Sequence, residues 1–194
     1  MKVIYIRDSR SRGYLRIGVS DGEQKIEYTV SEKEYRELGS PLTGDENLDI
    51  EALAECDIRY KAKLYALRIL SFGDNSELAL KRKLVARSIP SKIAAEVSAE
   101  MVGLGYVDEY RQLERLVENE VNVKLIGKEK LFPKLISKGF SREKIESVLE
   151  DLISHGIVDF DKNKRLLIEK KLGSDASEEE VRKLLYKFGY RGAF

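Results

Sequence analysis

Cysteine and histidine are nearly missing: the chain holds only Cys56 and His155, and it has no tryptophan. A single cysteine excludes an internal disulfide, and one cysteine with one histidine leaves no thiolate or imidazole cluster for a metal. A serine or cysteine triad needs a histidine near a nucleophile motif, and none lies near His155. Phosphate-cradling patterns are absent too: no Gly-x-Gly-x-x-Gly occurs, and Gly127-Lys128 lacks both the earlier glycine and the following Ser/Thr of a nucleotide loop. Apolar runs such as the one around Ala66 to Phe72 stop far short of the roughly 20 residues of a membrane span. The amino terminus alternates through Val3, Ile4, Tyr5 and Ile6 without the basic-then-apolar pattern of a signal peptide, so a cytoplasmic protein is expected.

What is present is 194 residues, 42% of them hydrophobic and 36% charged, with 35 Lys+Arg against 34 Asp+Glu. That is enough chain for one large or two small domains with a buried core. Residues 2 to 30 alternate with period 2 and read as three strands of an antiparallel unit. Asp21-Gly22 marks a tight turn. As the centre of a type I′ hairpin it sets pairs whose numbers sum to 43, placing Ile17 beside Ile26, Leu15 beside Tyr28 and Arg16 beside Glu27. Ser31 with Glu34 forms a capping box for a short helix ending at Gly39, and Ser40-Pro41 to Thr43-Gly44 reads as linker. The first domain is therefore 1–47.

From Leu48 the period turns helical, and self-comparison reveals a repeat of about 51 residues. Leu104-Gly105-Tyr106-Val107-Asp108 returns as His155-Gly156-Ile157-Val158-Asp159. Leu84 answers to Leu135, Val97 to Val148 and Met101 to Leu152. A third copy follows Asp159, with Leu166, Leu167 and Leu185 in register. Each copy divides into three helices, the first opened by Ile58, Ala62, Tyr65 and Ile69, the second capped by Ser76, the third begun at Pro90. The expected fold is mainly α: tandem three-helix repeats stacked as a curved solenoid behind the small β unit, with repeats at 48–109, 110–160 and 161–194. Pro133 falls inside the middle helix of the second repeat, where it should kink that helix or delay its start. Tyr106 is expected in the core and His155 as a half-buried packing residue.

These residues resemble a family. A capped Ser76-x-x-x-Leu80-x-x-x-Leu84 helix, the Gly105-Tyr106-Val107-Asp108-Glu109 turn, and Gly127, Leu131, Leu135 and Lys138-Gly139-Phe140 look like the RecX regulators of RecA recombinase, over about residues 57 to 190. The β unit is similar to the extra segment of the longer members. Departures are specific: Ala79 stands where the family carries the glutamate of a capping box, Gln112-Leu113 replaces an aromatic-alanine pair, and the third copy lacks most of its final helix. The resemblance implies a non-catalytic regulator without cofactors. It implies binding to the RecA–DNA filament groove, restraint of recombinase, ATPase and coprotease activities, and a role in homologous recombination, DNA repair and the SOS response.

Charge segregation suits that task independently. Residues 79–94 carry five bases and no acid, and residues 124–144 carry seven bases against two acids, whereas residues 37–57 carry seven acids and no base. The candidate recombinase- and DNA-binding residues are Lys81, Arg82, Lys83, Arg87, Lys128, Lys130, Lys134, Lys138, Arg142, Lys183 and Lys187. Lys83 with Lys134, and Arg87 with Lys138, recur at the repeat spacing and would form basic columns on stacked units. The bland reading is a solvated face. Non-specific DNA, single- or double-stranded, is the second expected partner, with no membrane contact and a monomeric state. The alternative is a general nucleic-acid-binding helical module of helix-turn-helix type. A divalent-ion nuclease using Asp159 and Asp161, or Asp108 and Glu109, is disfavoured, since no further carboxylate stands at a defined spacing.

Overall fold

The computed structural model describes residues 1–173 and 176–191. Three strands, β1 (Lys2–Asp8), β2 (Tyr14–Ser20) and β3 (Lys25–Ser31), form an antiparallel sheet in sequence order. Helices follow: α1 (Glu32–Glu37), α2 (Ile50–Ser71), α3 (Glu77–Val85), α4 (Ser91–Gly103), α5 (Glu109–Glu118), α6 (Lys128–Ser137), α7 (Arg142–Ser154), α8 (Phe160–Lys171) and α9 (Glu178–Phe188), with a π-helical turn at Asn119–Val123 after α5. Among the described residues no strand follows β3, and no helix is long and apolar enough to cross a membrane. The starts of α3 and α6, of α4 and α7, and of α5 and α8 are each 51 residues apart (77 to 128, 91 to 142, 109 to 160). The equivalent pairs Leu84 and Leu135, Val97 and Val148, and Met101 and Leu152 are all buried, as the repeat requires.

The chain divides into two compact units: Met1–Phe72 with Lys81–Glu100, and Gly73–Leu80 with Met101–Phe194. In the first, Val3, Ile17, Val19, Tyr28 and Val30 of the sheet pack with Leu53 and Cys56 of α2. Alternation puts these sheet residues on one face, so burying that face requires the helix. Asp57 on α2 accepts a bond of 3.0 Å from the Thr29 amide of edge strand β3. Arg59 joins Glu34 on α1 at 2.8 Å and Glu96 on α4 at 3.4 Å. Glu34 closes the capping box, accepting from the Ser31 amide at 2.8 Å. In the second unit, Leu113, Val117, Leu131, Leu135, Ile145, Val148 and Leu152 join helices α5 to α7, while Leu125, Leu167, Leu185 and Tyr190 form a smaller cluster around α8 and α9.

Two expectations need correction. The β2–β3 pairs sum to 45, with Ile17 beside Tyr28, Val19 beside Ile26 and Leu15 beside Val30. The turn is longer than a two-residue hairpin because the Asp21 carboxylate accepts from the amides of Glu23, at 3.1 Å, and Gln24, at 2.8 Å, drawing Glu23 and Gln24 into the loop. A shift of two preserves every inward and outward face, so Arg16 and Glu27 still meet across the strands, at 3.6 Å. The second correction concerns the delayed start expected from Pro133: α6 begins at Lys128, five residues before the proline, which lies inside it. Leu131 and Leu135, both fully buried, anchor the helix on either side of the missing amide.

Candidate partner-binding surface

The middle helices of the repeats are placed by a recurring joint inside the second unit. Ser76, almost fully buried, accepts from the Ala79 amide at 3.2 Å and donates its hydroxyl proton to the Lys138 carbonyl, 2.8 Å away at the end of α6. One hydroxyl thus caps the start of α3 and ties it to the next middle helix. Glu109 brings a carboxylate to the same helix end, accepting from the Glu77 amide at 2.8 Å where a capping-box glutamate would have taken the Ser76 amide, and it also pairs with Lys144. At the next joint Gly127 donates to the Phe188 carbonyl at 2.8 Å, and Glu129 donates its amide to Gly189 O at 3.1 Å. In both joints the carbonyl end of one helix meets the amide end of another, the favourable arrangement of peptide dipoles.

On these helices the predicted cations divide into two groups. Lys134 pairs with Glu120 at 2.5 Å, and Lys124 pairs with the other oxygen of the same carboxylate at 2.7 Å. Glu120 is itself buried in the π turn. Burial opposes its ionisation, but the two lysine hydrogen bonds outweigh that and hold its carboxyl below the ordinary glutamate value. Arg87 lies 5.0 Å from the Tyr65 ring, Lys128 5.5 Å from that of Phe160 and Arg142 5.2 Å from that of Phe132. Arg142 also reaches Glu146 at 3.5 Å, and Lys183 pairs with Glu179 at 2.6 Å. Lys81 is half-buried and Lys83 exposed on α3. Arg82, Lys130, Lys138 and Lys187 are exposed and form no ion pair among the described residues. Lys83 and Arg87 belong to the first unit, Lys134 and Lys138 to the second.

The sequence pattern did not reveal Glu120. Its spacing from Lys124 marks an i, i+4 pair, but nothing in the pattern signals that the carboxylate is buried or that Lys134 reaches it. Two packing expectations also fail. Tyr106 is 58% exposed, and the equivalent Ile157 is exposed as well. The left-handed Gly105 and Gly156 turn the chain so that the next residue points outward and Val107 or Val158 enters the core. His155 is exposed, its Nδ1 lying 2.7 Å from the Asp151 carbonyl. Asp108 and Asp159 are N-caps, of α5 and α8, their carboxylates occupied by backbone amides.

The repeats and their joints define a tandem helical-repeat protein carrying an antiparallel sheet at its amino-terminal end. No protein-family model matches the chain. It is 24% identical over 164 residues to the regulatory protein RecX of Clostridioides difficile, covering 84% of this chain and 72% of that one. It is 26% identical over 134 residues to the regulatory protein RecX of Caldanaerobacter subterraneus subsp. tengcongensis, covering 67% and 64%. A crystal structure of a regulatory protein RecX shares the fold over 98% of this chain and 94% of its own, with a TM-score of 0.71 at 21% identity. In sequence the chain is thus similar to RecX regulatory proteins, and it shares the fold of one of them.

Proposed function

We propose that the chain regulates RecA recombinase by binding the filament that RecA forms on DNA, lying in its groove and restraining ATP turnover, strand exchange and repressor cleavage. It acts there as a monomer. Likeness to proteins named regulatory protein RecX supports the class of function. The observation that carries the contact surface is the set of exposed cations on the middle helices, Arg82, Lys130, Lys138 and Lys187, that no carboxylate neutralises among the described residues. Lys81, Lys83, Arg87, Lys128, Arg142 and Lys183, and the basic columns of Lys83 with Lys134 and Arg87 with Lys138, are part of the same proposal.

Lys134 is a poor place to test this reading, because reversing it sets a second carboxylate against buried Glu120. Reversal of Arg82, Lys130, Lys138 and Lys187 to Glu probes the surface without that conflict. Each ionic contact contributes on the order of 1 kcal/mol in a partly exposed setting, so the quadruple variant should bind pre-formed RecA filaments at least about a hundredfold more weakly. Its helicity should be unchanged, and its inhibition of RecA ATPase should vanish. Undiminished inhibition would reduce the cations to a solvated face. A chain that binds free DNA but ignores RecA would instead favour the general nucleic-acid module.

A further inference from the structure

We infer that the β1–β2 loop, residues 9–13, is a phosphodiester-binding site in which the guanidinium groups of Arg10 and Arg12 recognise adjacent phosphates. The segment is Ser9-Arg10-Ser11-Arg12-Gly13, and residues 1–20 hold five bases, four of them arginine, against the single acid Asp8. Two of these arginines are already engaged: Arg7 lies 4.6 Å from the Tyr5 ring and Arg16 pairs with Glu27 at 3.6 Å. Arg10 and Arg12 are exposed and have no ion-pair partner among the described residues.

The loop that carries them is tied down on every side. Ser9 donates its amide to the Tyr14 carbonyl at 2.8 Å, and Tyr14 returns a bond to Ser11 O at 3.2 Å. The hydroxyls of Ser11 and Tyr60 of α2 are 2.8 Å apart, and the Tyr14 and Tyr60 rings meet at a tilt of 51° with centroids 4.8 Å apart. Glu32, at the start of α1, donates its amide to Gly13 O at 3.0 Å. Ordering of the backbone is therefore complete before any ligand arrives, and binding costs only the freedom of two side chains.

Chemistry selects the ligand. Guanidinium groups bind phosphate oxygens through two parallel hydrogen bonds, which an ammonium cannot do. Arginines two residues apart have Cα atoms at most about 7 Å apart, a spacing that two arginine side chains can splay to meet neighbouring phosphates of one strand. Between Met1 and Leu42 no described large hydrophobic residue is exposed, so the loop at residues 9–13 has no exposed apolar side chain adjoining it in sequence to anchor a protein groove or a lipid surface. An ionic contact without apolar burial is what a nucleic-acid backbone accepts.

The site does not depend on the recombinase proposal and is tested without recombinase. Anisotropy of a labelled single-stranded dT oligonucleotide would be titrated with the whole protein and with an Arg10→Gln, Arg12→Gln variant across a range of salt. Loss of two contacts should lower affinity at least tenfold at low salt and make the slope of log K against log salt shallower by about 1.4. Arg10→Lys with Arg12→Lys, which keeps both charges, should retain the slope, and circular dichroism should show all variants folded. Lys33→Gln with Arg36→Gln removes two exposed charges from the same unit and should change little. The assignment fails if the parent does not bind the oligonucleotide, if the loop variant binds as the parent does, or if the control pair loses as much. It also fails if poly-L-glutamate displaces the probe as well as unlabelled dT, since the loop would then be reading carboxylates.

Discussion

Three equivalent positions show how a single β-carbon is admitted or refused by the stacking of repeats. Gly139, Gly189 and Ser88 all end middle helices in the left-handed region, with φ of 97°, 86° and 63°. A Cβ at Gly139 would lie 2.5 Å from Ser76 Oγ, and one at Gly189 would lie 2.7 Å from Lys130 Cγ and 2.8 Å from Lys130 N. Glycine is required there by the joint as well as by the dihedral. Ser88 keeps its side chain and carries the backbone strain of an L-residue in that region, on the order of 1 kcal/mol. Ser88→Gly should therefore stabilise the protein by about 0.5–1 kcal/mol in urea unfolding, whereas Gly139→Ala should cost at least about 2 kcal/mol. A Gly139→Ala variant as stable as the parent would mean that the joint does not carry the packing described.

Among the described elements, the π turn between α5 and α6 is built around a buried charge. Asn163 of α8 donates to the Val121 carbonyl at 3.1 Å and to Asn122 Oδ1 at 3.0 Å, while Glu120 gathers Lys124 and Lys134. The Glu120 carboxyl titrates lower in the folded state than in the unfolded chain, so its contribution is present above the ordinary glutamate range and is lost as pH falls through the depressed value. Glu34, whose carboxyl is likewise lowered, by Ser31 and Arg59 against the opposing effect of burial, adds in the same direction. Glu120→Gln should destabilise the protein by about 2 kcal/mol near neutral pH. The difference from the parent should shrink as pH falls below the ordinary glutamate range and through the depressed value, where the parent loses the same interaction. Urea midpoints measured across that range decide it, and a gap that stays constant would show that the charge of Glu120 contributes nothing.

At the scale of the whole molecule, the amino-terminal sheet is half of a core and not a detachable appendage. Leu53 and Cys56 of α2 are covered by it, and burial, with Glu34 nearby, pushes the Cys56 thiol up to about 11. Deleting residues 1–47 should lower the melting temperature by at least about 5 °C, raise binding of an apolar dye and make Cys56 react readily with a thiol reagent near pH 8. An intact sheet with slow Cys56 labelling is the expected behaviour of the parent. Loss of RecA inhibition in such a truncation would thus be ambiguous, and the Arg10 and Arg12 substitutions separate a role of the loop from damage to the core.

The elements and their order were legible along the chain, because the apolar periodicity, the caps at Ser31 and Ser76 and the 51-residue spacing are local or repeated signals that need no partner to be read. The sequence also located the basic helices and the likeness to RecX regulators. What only the tertiary structure decided are the contacts between groups distant in sequence. Glu109 reaches the amide end of α3 from 32 residues away, and Glu120 neutralised one of the predicted contact lysines. The anchored arginine loop at residues 9–13, held by Tyr60, belongs to the same class. In each case the outcome depends on which groups folding brings within about 3 Å, and side-chain identity along the chain does not encode that distance.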